Sequence, residues 1–179
     1  MIVALLALLV SAQAPVIGPP LAPGKHAAVV ARTDDGTVLG AIGARDANII
    51  EVTKLASTKA GGSAKALADL ALKDHQRSLT EGAKLSKELK IPRLLPADSV
   101  MARAQVDEMA ALNALSGAAF ERAFVQFIVD DHKAAIIKLT GVELAQAKRA
   151  SVKAFVRKRL PMLRLHQAEA EKWLAAHPG

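Results

Sequence analysis

The chain has 179 residues, 51% of them hydrophobic and only 3% aromatic, with no cysteine. That is one domain with apolar material for a full core, so extended disorder is excluded. The Ala- and Leu-rich balance argues against an all-β sandwich, and without cysteine there is no disulfide, thiolate metal site or Fe–S cluster. Lys and Arg number 24 against 17 Asp and Glu, a formal charge of +7 that biases the surface toward anions without naming one.

Met1 to Val10 are all Met, Ile, Val, Ala or Leu, and Ser11-Ala12-Gln13-Ala14 supplies the small residues a signal peptidase needs. A run of about ten apolar residues is short of the roughly 20 that span a bilayer as a helix. The pattern reads as a secretory signal over residues 1–12, cut after Ala12 because Pro15 obstructs cut sites nearer to it. It places the mature protein in the periplasm or outside a bacterial cell, with no transmembrane helix. A buried N-terminal strand or helix is the other reading of so short a run. Residues 13–36 follow as a flexible tether, since four prolines and two glycines between Pro15 and Thr33 cannot hold a helix or a strand ladder.

From about Thr37 the period turns helical, and residues 37–177 read as the bundle domain. Leu39, Ile42, Ile49, Val52, Leu55 and Ala56 share one stripe that ends at Ala60-Gly61-Gly62. Ser63 is the expected N-cap of a second helix, carrying Leu67, Ala68, Ala71, Leu72, His75 and Leu79 until Ile91-Pro92 stops it. Asp98 is the expected cap of a shorter connecting helix that ends near Ser116-Gly117. Phe120, Phe124, Val125, Ile128, Val129, His132, Ile136 and Leu139 form the most apolar face, on a third main helix. Its end near Gly141 is ambiguous, because Thr140-Gly141-Val142-Glu143 also resembles a capping box. The last helix runs from about Ser151 to His177, with a kink expected at Pro161.

Four main helices of roughly 22 to 28 residues, about 35–40 Å each, amount to an all-α four-helix bundle. The long link between the second and third, with its short connecting helix, can travel back along the bundle, which favours the ferritin-like arrangement. A weak internal echo supports it: aligned on Asp74-His75 and Asp131-His132, Leu67 matches Phe124 and Ala71 matches Ile128.

The candidate chemistry is a layer of histidines. His75, His132 and His166 lie on the apolar stripes of three different helices, about 12 to 15 residues from each start, or about 18–23 Å along each axis. Glu51 is at the same height on the first helix. Three imidazoles with carboxylate help suit zinc, copper(II) or iron. The alternative is a polar core layer whose histidines are hydrogen-bonded and fix helix register. Asp74 and Asp131 adjoin His75 and His132, and adjacent helical side chains point about 100° apart, so neither easily shares an ion with its neighbour. An aspartate there suits orienting a histidine of another helix, or pairing with a cation such as Arg159. Di-iron carboxylate chemistry is disfavoured, because Glu-x-x-His is absent on two helices.

No phosphate loop, nucleophile elbow or His-Glu-x-x-His motif appears, and an enzyme ranks last among the readings. Lys148, Arg149, Lys153, Arg157, Lys158 and Arg159 form the densest basic cluster. It reads either as a solvated helix face or as a contact for an anionic envelope component, and the lack of an aromatic platform argues against nucleic acid.

Leu115-Ser116-Gly117-Ala118-Ala119-Phe120-Glu121-Arg122-Ala123-Phe124, then Asp131-His132, then Leu160-Pro161-Met162-Leu163-Arg164-Leu165-His166 resemble the DUF4142 family of secreted bacterial proteins. Ile50-Glu51-Val52-Thr53-Lys54-Leu55-Ala56 and Lys73-Asp74-His75 fit its first helix pair, so the resemblance covers residues 37–174. It implies a ferritin-like bundle in the bacterial envelope and carries no established catalytic residues; His75, His132 and His166 match its recurrent histidines. The expected function is an envelope binding or stress-related protein whose histidine layer tunes stability or senses pH. The alternative is a metal-binding protein using His75, His132 and His166 with Glu51 or an aspartate.

Overall fold

A computed structural model describes residues 34–94 and 99–178; the expected signal, nearly all of the tether and the Asp98 cap lie outside these residues. The helices are α1 (Asp34–Lys59), α2 (Gly62–Leu89), α3 (Ser99–Ala114), α4 (Gly117–Lys138), the single turn α5 (Leu144–Gln146) and α6 (Ala150–Ala176), and no strand occurs among the described residues. α1 begins at Asp34, so the last three positions read as tether belong to the first helix.

α1 packs on α2 and α4 on α6, and α2 also lies against α6. Two bonds fix the directions. The Gly61 N–H at the start of α2 donates to Glu121 Oε1 at the start of α4, so these helices begin at one end. Asp35 at the start of α1 accepts from the Lys148 and Arg149 N–H groups that open α6, so these begin at the other. Asp35 thus supplies a negative charge where the α6 dipole is positive. The result is two antiparallel hairpins joined by a crossover through α3, the ferritin-like topology.

Several local expectations are corrected. The N-cap of α2 is Gly61, extended and without a side-chain capping bond, and Ser63 sits exposed inside the first turn. Gly62 follows at φ +47, where a side chain would be strained. The chain does not start a fresh capped helix at Thr140. Instead Leu139–Glu143 form a π-helical turn that carries α4 into α5, and its wider winding rotates Glu143 to a buried position, 5% exposed. α6 runs as one helix with Pro161 inside it, so the proline does not end the helix. The start of the crossover segment is held close to α1: Leu94 N–H donates to Gly36 O at 3.0 Å, and a Cβ on Gly40 would clash with the Leu94 carbonyl.

The core has two apolar halves. One gathers Val52, Ala64, Leu112, Phe120, Phe124, Ile128 and Trp173. The other gathers Val38, Leu39, Ile42, Leu139, Val152, Phe155 and Leu163. Between them, in chain position and in burial, lie the fully buried His75, His132 and His166.

Candidate metal centre

Each histidine reaches the layer from a different rod, because each replaces an apolar residue on an inward stripe: His75 on α2, His132 on α4, His166 on α6. All three are 0% exposed. His75 Nε2 lies 3.4 Å from His132 Nε2, and His132 Nε2 lies 3.3 Å from His166 Nδ1. The three nitrogens fall within 4.8 Å of one another, and the rings meet edge-on or tilted with centroids 5.4–5.6 Å apart.

The far side of each ring faces a carboxylate. His75 Nδ1–H donates to Asp46 Oδ1 at 2.7 Å, and His166 Nε2–H donates to Asp74 Oδ2 at 3.2 Å. His132 Nδ1 lies 3.3 Å from Asp131 Oδ2, close enough for an ion pair. The angle does not make a hydrogen bond, and both atoms are buried without a hydrogen-bond partner. A neutral imidazole has one proton. On His75 and His166 it is held by the outer carboxylate, so the inward nitrogens carry lone pairs. On His132 a lone pair against Asp131 would be repulsive, which favours the proton on Nδ1 and leaves a third inward lone pair.

Asp46 anchors the layer. Besides His75 it accepts Ser78 Oγ–H at 2.8 Å and a bidentate pair from Arg159, at 2.8 and 2.6 Å. Burial raises the Asp46 pKa, but the His75 hydrogen bond and the Arg159 charge outweigh it and hold the carboxyl below its ordinary value. Burial, only partly offset by Asp46, pushes the His75 pKa down. Burial, then the charges of His132 and His75, push His166 down to about 4. Glu108 on α3 is pushed up, by burial first and then by Asp131.

The predicted site residues therefore separate. His75, His132 and His166 converge, and Asp74 and Asp131 back histidines rather than joining them. Glu51 does not belong to the layer. It is exposed and ion-paired with Lys54 at 2.8 Å, because it sits five residues past Asp46, about 140° round the helix from the inward face. Asp46 was not anticipated, although it lies four residues after Ile42 and three before Ile49, on the inward stripe. The basic cluster is mostly a solvated face: Lys148, Arg149 and Lys158 are exposed and pair with Asp34, Asp35 and Glu81, and only Arg159 of the same run turns inward, 3% exposed.

Fold and site together define a ferritin-like helical bundle with a buried cluster of three histidines in contact with carboxylates. The chain belongs to the DUF4142 family, a domain of unknown function matched over residues 20–173. It is similar in fold to the crystal structure of a DUF305 fragment from Deinococcus radiodurans, with a TM-score of 0.72 at 16% identity, covering 80% of this chain and 97% of that one. No curated protein matches the chain. No helix among the described residues is long and apolar enough to cross a membrane.

Proposed function

We propose that the protein binds one divalent transition-metal ion through His75 Nε2, His132 Nε2 and His166 Nδ1. The observation that carries this reading is the convergence of three buried ring nitrogens, on rings whose other nitrogens each face a carboxylate. Ligands at about 2.0–2.1 Å on the corners of a tetrahedron are about 3.3–3.4 Å apart; two of the three separations are 3.4 and 3.3 Å, and all three nitrogens lie within 4.8 Å of one another. A water molecule has two protons for these three acceptors, whereas a cation serves all of them.

Charge favours a cation. With neutral imidazoles, the carboxylates of Asp46, Asp74 and Asp131 stand against the guanidinium of Arg159 on Asp46 and that of Arg77 on Asp74, and the negative charge left over is one that a bound cation offsets. Imidazole donors suit zinc, copper(II), nickel and iron(II) alike. When bound, the ion would tie α2, α4 and α6 together and offer a Lewis-acidic position in the core. In a second reading the layer tunes stability with pH, favoured by the downward shifts at His75 and His166. The apolar run of residues 1–10 and the small residues after it support export to the bacterial envelope.

The test is a metal inventory of the protein purified without added metal, followed by titration of the stripped protein with zinc, copper(II), nickel and iron(II). About one equivalent is expected, lost in the variant carrying His75→Ala, His132→Ala and His166→Ala. Metal content that survives this triple change, or wild-type protein that takes up none of the four ions, would sink the proposal.

A further inference from the structure

Where α2 begins and α6 ends, an open groove of about 400 Å³ runs between the two helices. Its floor is apolar, with Leu67 and Trp173 both buried. At one end the walls are the small side chains of Ser63, Ala66 and Ala176, and toward the other Leu165 stands out from α6, 48% exposed. One face thus offers both a knob and a hole.

Two charges rim the groove, Glu169 and Lys172, three positions apart on α6 and both exposed. That spacing permits an ion pair, yet neither side chain has a polar partner among the described residues. Nearby charges are matched: Glu171, next to Lys172, pairs with Lys133, and Asp69 on α2 pairs with Lys65. Leu165, Glu169, Lys172 and Ala176 follow one another at four, three and four positions, so they share one stripe of α6 within about 60°.

We infer that this groove is an interface for a second copy of the chain, the two α6 helices crossing antiparallel about a two-fold axis near Ala170 and Glu171. Read in reverse, the stripe is its own complement. Leu165 of one copy meets Ala176 of the other and enters the recess beside Ser63 and Ala66, Glu169 meets Lys172, and the symmetry repeats both contacts. A small amphiphile of either charge would leave one of the two rim charges unmet, whereas a second copy satisfies both and fills the recess as well. The face is about 18 Å long and two helices wide, roughly 400 Å² per copy against the about 800 Å² of a standard interface, so the dimer is weak and forms with concentration. No residue of the histidine layer lines the groove, and the inference is independent of the metal proposal.

The experiment is sedimentation equilibrium of the full chain, stripped of metal, from micromolar to millimolar concentration, with the emission of Trp173, the single tryptophan, followed over the same range. A monomer–dimer equilibrium is expected, and the emission should change in step with it. Glu169→Lys and Lys172→Glu should each weaken association at least about tenfold, since each sets like charges together twice across the axis. The chain carrying both changes should regain the dimer, and so should an equimolar mixture of the two single variants, because opposite charges then face each other again. Leu165→Ser should weaken association several-fold. A wild-type chain that stays monomeric at millimolar concentration, single charge variants that associate as tightly as wild type, or a double change that restores nothing overturns the inference. So does a monomer whose Trp173 emission saturates on addition of octanoate, which would assign the groove to an amphiphile.

Discussion

Arg45 and Asp46 are consecutive residues of α1, both buried, and they feed two different polar clusters. Asp46 is saturated: one imidazole, one hydroxyl and both ends of a guanidinium donate to it. Arg45 turns about 100° away and reaches the π turn, where its Nη2 donates to Glu143 Oε1 at 2.9 Å. There Arg45 Nη1 and Glu143 Oε2 are left buried without a partner. The contrast separates two uses of a buried charge. The Arg45–Glu143 pair is a local pin between α1 and the end of α4, and a single good bond meets its purpose. The Asp46 cluster holds other groups in fixed orientations, and a carboxylate that orients an imidazole and a guanidinium together has no slack to lose.

The sharpest way to break this contrast is Asp46→Ala. It leaves Arg159 charged and unpaired in the core, and the expected loss is about 3–5 kcal/mol of stability, read as the shift in urea midpoint. Metal uptake should fall with it, since His75 loses the partner that sets its tautomer. A change under about 1 kcal/mol would show that the cluster is not preorganised at all.

Acid should act next most strongly, and only on the histidine layer. His166 is held at about 4 in the fold, against about 6.5 unfolded. Between those values the unfolded chain binds a proton that the folded chain refuses, so stability is intact above about pH 6.5, falls on acidification and levels off below about 4. His166 alone contributes roughly 3 kcal/mol to that fall, and the lowered His75 acts in the same direction. Asp46, held below its ordinary value, adds a further loss only in stronger acid. Urea midpoints of metal-stripped protein at pH 7.5, 6 and 5 should descend; equal values at 7.5 and 5 would remove the case for a buried neutral layer.

The smallest effect is expected at the pin. Replacing Arg45 by Met and Glu143 by Leu together removes an imperfectly bonded pair, and comparable swaps are neutral or stabilising by about 1–4 kcal/mol. Metal content and the acid response should not move. A double variant that loses either would join the two clusters into one network.

Much of this was legible in the sequence. Helix number, lengths and the crossover followed from apolar periodicity and the Gly and Pro breaks, and the histidines were found by asking which polar residues sit on apolar stripes at a common height. Glu51 shows the weakness of that question: height along an axis says nothing about angle around it. Asp46 was missed for the opposite reason. Its angle is inward, between Ile42 and Ile49, but a lone acid on a stripe reads as an interruption until its partner is known, and that partner, Arg159, is 113 residues away inside a basic run. The π turn has no side-chain signature of its own; Thr140 and Gly141 mark a disturbance in the helix without saying whether the chain stops or widens.

The three imidazoles have no exposed edge, with an apolar half of the core on either side. An ion seated there could not trade places with the surroundings by simple diffusion. Its residence time would follow how often the rods part, so the clock for release would be the breathing of the bundle, and a chelator in large excess would strip the ion no faster than that breathing allows.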